Sequence, residues 1–102
     1  MIPCDMAEVY EARSAPYIEL IVYFERRNTM LDKIRADYKN RLKKSIGWEI
    51  KAGRKETYSQ NKWLHHASAM ALWAYGVNIQ LLNNKEATGI YRQILNFSKT
   101  ID

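Results

Sequence analysis

The sequence predicts a small, mainly α-helical single domain over residues 1–102, a bundle of three to four helices with room for one short β element near 46–52. Three observations carry this. No glycine or proline occurs from Tyr17 to Ile46, and an apolar stripe of Leu20, Phe24, Leu31, Ile34, Tyr38 and Leu42 runs through that span. Trp63, Ala67, Met70, Ala74 and Val77 recur at steps of four, three, four and three. Lys85–Ser98 is amphipathic, with Ile90, Ile94, Leu95 and Phe97 as its apolar members. The competing fold is α+β, with strands near 17–24 and 46–52.

In chain order, Asp5 and Glu8 have capping-box spacing and open a short helix over Met6–Arg13. Ser14-Ala15-Pro16 is expected to break it, because proline suits a first helical turn better than an interior. Tyr17–Phe24 has only Glu19 as a polar residue and suits either a buried strand or a buried helix. The absence of breakers favours helix, while Thr29 followed by Asp32 offers a fresh N-cap. Met30–Ser45 reads as a helix with basic residues gathered in its last turns, where they complement the helix dipole. Gly47 is expected to end it. Ile46, Trp48, Ile50 and Ala52 then alternate with polar residues, the period of a half-buried strand, and Gly53-Arg54-Lys55 reads as a turn. A helix from Ser59 stops at Gly76 or runs to Leu82, and Asn83-Asn84 breaks the chain before the last helix.

Composition narrows the function classes. An apolar fraction of 47% and a charged fraction of 26% suit a globular chain. The single cysteine, Cys4, allows no internal disulfide and no cysteine-rich zinc site, which points to a reducing, cytoplasmic setting. The acidic N-terminal residues do not read as a signal peptide. Trp63–Leu82 has the length of a membrane span, but His65, His66, Ser68, Asn78 and Gln80 are costly in lipid, so no membrane partner is expected.

Charge is strongly polarised. Arg26–Lys62 holds twelve of the sixteen basic residues and four acids, whereas Met1–Glu25 holds one base and five acids. Such a middle segment attracts phosphate backbones or an acidic protein surface. The contacts expected are Lys39, Arg41, Lys43, Lys44, Arg54 and Lys55, with Tyr38, Trp48 and Tyr58 interleaved as stacking surfaces. The reading is a non-catalytic binding protein for nucleic acid or for a nucleic-acid-handling protein, with no cofactor. A second class is an inhibitor or adaptor docked on a larger enzyme. The long apolar stripe also suits a homo-oligomer.

One stretch suggests chemistry. Glu49-Ile50-Lys51 on a strand would place a carboxylate and an ammonium on one face, as a metal-dependent nuclease needs. The run WEIKAGRKETYSQNKWLHHA resembles the second half of the VRR-type branch of the PD-(D/E)xK nucleases. That resemblance implies Glu49 as a Mg²⁺ ligand, Lys51 as the catalytic lysine, Gln60 as a supporting residue and Gly76–Ile79 as the next strand. The family's Pro-Asp strand should precede Glu-x-Lys, and here RLKKSIG occupies that place. His65 and His66 are adjacent, so on a helix they point about 100° apart and do not converge on one metal. One is expected to be packed and the other solvated.

Overall fold

The computed structural model describes the backbone of residues 7–102 and the side chains from Glu19 onward. Its elements are α1 (Ala7–Lys55), α2 (Ser59–Asn78) and α3 (Asn84–Ser98). The mainly α architecture is therefore as predicted, with no strand among the described residues. Asp5, the first half of the expected capping box, and Cys4 lie outside the described residues, as does the side chain of Glu8. Two compact units are present, Met1–Ile34 and Arg35–Asp102.

Within the first unit the backbone is helical from Ala7 onward. The break expected at Ser14–Pro16 is not there, and Tyr17–Phe24 is helix rather than strand. Its large apolar side chains, from Leu20 to Ile34, are all exposed.

The second unit is a three-helix bundle formed by the remainder of α1 with α2 and α3. Leu42 and Ile46 of α1, Ala69 of α2, Leu81 and Leu82 of the following turn, and Ile94 of α3 form its buried core. This core corrects the expected strand at 46–52. The alternation of Ile46, Trp48, Ile50 and Ala52 mimics period two, but burial follows steps of four and seven: Leu42, Ile46 and Gly53 are buried while Trp48 is exposed. Gly47 does not end the helix, and Gly53-Arg54-Lys55 is its last turn rather than a loop. Gly53 is needed there because a methyl group on its Cα would lie 3.0 Å from both Phe97 Cε2 and His65 Cβ, and closer still to Phe97 Cζ. The freed carbonyls of that turn are met by Lys62, whose Nζ donates to Gly53 O and Arg54 O at 3.3 Å each.

The turn after α2 explains why Gly76 does not stop the helix. Gly76 is buried where Leu42 and Leu82 close on it, the latter 2.9 Å from where a Cβ would stand. The helix runs on to Asn78, so Gly76–Ile79 forms no strand. Gln80 takes the left-handed conformation, φ 58°, that usually falls to glycine after a helix. Its carbonyl accepts from Arg35 Nη2 at 3.0 Å, and Leu81 N–H returns to Gly76 O at 2.9 Å. The last helix then opens with a capping box: Glu86 N–H donates to Asn83 Oδ1 at 2.8 Å, and Asn83 N–H donates to Glu86 Oε1 at 3.2 Å. Trp73 ties α2 to α3, its indole N–H donating to Ala87 O at 2.8 Å.

Candidate nucleic-acid interface

On α1 the buried side is set by Leu42, Ile46 and Gly53. At 100° per residue, Arg41, Lys44, Trp48, Lys51 and Lys55 fall within about 80° of one another on the opposite side. All five are exposed, Trp48 at 62%. The result is a strip of four cations with an aromatic ring in its middle. Its length, from Arg41 to Lys55, is about 21 Å at the helical rise. Arg41 is braced by Asp37 one turn earlier, Nε to Oδ2 at 3.1 Å, an exposed pair that leaves the guanidinium open to solvent. Trp48 meets His65 in a T-shaped contact, with ring centroids 6.0 Å apart.

The six cations expected from the sequence therefore separate into three groups. Arg41, Lys44 and Lys55 belong to the strip. Lys39 and Lys43 turn towards α3, where both are paired with Glu86, Lys39 Nζ at 3.1 Å. Two ammonium groups and the Asn83 N–H of the capping box share this carboxylate. The hydrogen bond from Lys43, then that from the Asn83 backbone, hold the Glu86 pKa down at about 2. Arg54 lies between the groups, its guanidinium 5.7 Å from the centre of the Phe97 ring. It also lines a groove of about 370 Å³ between α1 and α3, with Gly47, Ile50, Lys51, Gln93 and Asn96.

The aromatics divide as well. Tyr38 is turned to α2, its hydroxyl 3.1 Å from that of Tyr75. Tyr58 is exposed at the N-cap of α2. Of the three, Trp48 alone stands among the strip cations.

The Glu49-Ile50-Lys51 motif lies in α1, not on a strand. Residues two apart on a helix point about 200° apart, so the carboxylate and the ammonium do not share a face. Lys51 joins the strip, while Glu49 accepts from His65, Oε2 to Nδ1 at 2.6 Å. His65 Nε2 faces Glu56 Oε1 at 3.4 Å, and Glu56 Oε2 accepts from Asn61 Nδ2 at 3.4 Å. The Glu49 hydrogen bond raises the His65 pKa; partial burial opposes this, and Glu56 adds to it. This is a clasp between the end of α1 and the start of α2. Gln60 is exposed and has no part in it. The other histidine is not the solvated one expected, since His66 is half-buried against Trp63 and Phe97 at ring separations of 5.3 and 6.2 Å.

Two features of the strip escaped sequence reasoning. Lys51 stands outside the six contacts expected from the sequence, although Lys44, Trp48, Lys51 and Lys55 have the four-three-four spacing of one helix face once α1 is extended past Gly47. The removal of Lys39 and Lys43 by Glu86 carries no local signal, because the partners are more than forty residues apart in the chain. No family model matches this chain, and no curated protein and no solved structure matches it.

Proposed function

We propose that the chain is a non-catalytic binding protein for single-stranded nucleic acid, held along the outer strip of α1. The observation that supports this reading is Trp48, an exposed indole flanked on one helix face by Arg41, Lys44, Lys51 and Lys55. Cations at this spacing attract successive phosphates, and the ring offers a face on which a splayed base stacks. A duplex keeps its bases stacked on each other, so the central indole favours single strands. Lys39 and Lys43 contribute little, because Glu86 already holds them.

Four strip cations and Arg54 give a slope of log affinity against log salt of about −3 to −4 for a single strand. Fluorescence anisotropy with a labelled oligonucleotide measures it on the full chain. Lys44→Glu with Lys55→Glu should reduce the magnitude of the slope by about 1.4 and weaken binding at least tenfold. Trp48→Ala should cost about 1–3 kcal/mol and leave the slope unchanged. An affinity indifferent to salt and to both changes overturns the proposal. A partner that is retained after nuclease treatment and lost with the same charge reversals would put an acidic protein in place of the nucleic acid.

A further inference from the structure

The first unit presents the largest feature that the binding strip does not use. Leu20, Phe24, Leu31 and Ile34 are about half exposed, and with Arg27 they recur at steps of four, three, four and three. That is the seam spacing of paired helices. Ile21, Tyr23 and Met30, also exposed, flank the seam. The remaining large apolar residue, Val22, lies opposite and is the least exposed of the eight, at 38%. Every charged residue of this stretch except Arg27, namely Glu19, Glu25, Arg26, Asp32 and Lys33, lies off the seam.

We infer that this segment pairs with the same segment of a second copy of the chain, antiparallel, about a centre between Glu25 and Arg26. Area argues for a full partner. At roughly 100 Å² of exposed surface per side chain, the seam and its flanks offer on the order of 700 Å², close to one partner's share of a standard interface. A patch of that size is larger than an ordinary monomer leaves in water.

Arg27 decides the direction. In a parallel, in-register pair each seam residue meets its own copy, so two Arg27 guanidinium groups would be buried against each other with no counter-charge. In the antiparallel pair each Arg27 meets Phe24 of the other copy, a cation on an aromatic face, and each Leu20 meets Leu31. Charge agrees. Glu19 and Glu25 of one copy run beside the half holding Arg26, Arg27 and Lys33, with Asp32 the single acid there. A parallel pair would set acidic half on acidic half.

Sedimentation equilibrium of the full chain over a concentration series should give a doubled mass. Leu31→Glu should weaken self-association by at least about 100-fold, since it buries two charges in the seam. Val22→Glu, on the outer side, should leave it unchanged. Far-UV circular dichroism of both variants shows that the helices persist. For direction, Leu20→Cys and Leu31→Cys proteins, each also carrying Cys4→Ser, are mixed and oxidised. The antiparallel pair gives the mixed disulfide in preference to either symmetric one. A single-chain mass throughout, equal loss from Val22→Glu, or symmetric disulfides in preference to the mixed one would each overturn the inference, and the first would assign the face to a different protein.

Discussion

Replacing Gly53 by alanine sets two opposing effects against each other, and the structure says which wins. In an exposed helix the change is favourable by about 1 kcal/mol, because glycine is the poorer helix former. At Gly53 the new methyl would stand 3.0 Å from His65 Cβ and from Phe97 Cε2, and nearer to Phe97 Cζ. Ordinary carbon contacts are about 3.5–4.0 Å, so the ring must retreat by half an ångström or more. Phe97 is fully buried and also supports His66 and Arg54, which leaves the ring little room. Overpacking of this kind costs about 1–3 kcal/mol beyond the helix gain it cancels. Gly47 is the control, with nothing within 4 Å of the position its Cβ would take. Thermal unfolding by circular dichroism should show Gly47→Ala raising Tm by about 4–8 °C and Gly53→Ala lowering it by a similar amount or more. Phe97→Leu should be costly alone but less so on the Gly53→Ala background, a coupling of about 1 kcal/mol or more. If Gly53→Ala raises Tm as Gly47→Ala does, the claim that Gly53 serves close packing fails.

Three other outcomes are open to measurement. Glu86 has its pKa held near 2, so its pairing stabilises the fold above the ordinary carboxylate value of 4.5 and is lost as pH falls from there towards 2. Its lysines are part-exposed, so the contribution is about 1–2 kcal/mol; Glu86→Gln should flatten that acid limb of the stability profile. His65 behaves in the opposite sense. Its pKa is raised by Glu49, so its contribution is complete below the unfolded value near 6.5 and is lost as pH rises through the higher folded value; His65→Gln should abolish a decline in Tm across that alkaline window. Gln80→Gly should stabilise by about 1 kcal/mol, because the left-handed conformation strains a side chain while the bond from Arg35 goes to the backbone carbonyl.

Local patterns in the sequence located much of the fold. The periodicity over Lys85–Ser98 and from Ser59 onward places α3 and the start of α2 within a residue, because it acts over one or two turns. Failures cluster at glycine and proline. Gly47 reads as a helix stop, Gly53 as a turn and Gly76 as a place where the helix stops or runs on, yet each lies inside a helix; at Gly53 and Gly76 the missing side chain admits Phe97, Leu42 and Leu82. A glycine that ends a helix and one that receives a distant side chain look alike in sequence. The strand at 46–52 failed for a related reason: four apolar residues in alternation satisfy period two, and only the buried partners on α2 and α3 show that Trp48 faces away. The cationic patch was visible as a count of charges, but its direction was not. The phase of α1 turns Lys44, Lys51 and Lys55 outward, and the pairing of Lys39 and Lys43 with Glu86 is set by tertiary packing alone.

Glu86 completes the N-terminal cap of α3 and also anchors that helix to Lys39 and Lys43. A bound ligand ordinarily protects a fold in proportion to its concentration. Small multivalent anions in excess should depart from this here. Once the outer strip is filled, further anion competes with Glu86 for the two lysines, and each one captured loosens the start of α3. Melting temperature against phosphate or short-oligonucleotide concentration should therefore rise, pass through a maximum and turn down. In Glu86→Gln, where the anchor is already gone, the maximum should vanish.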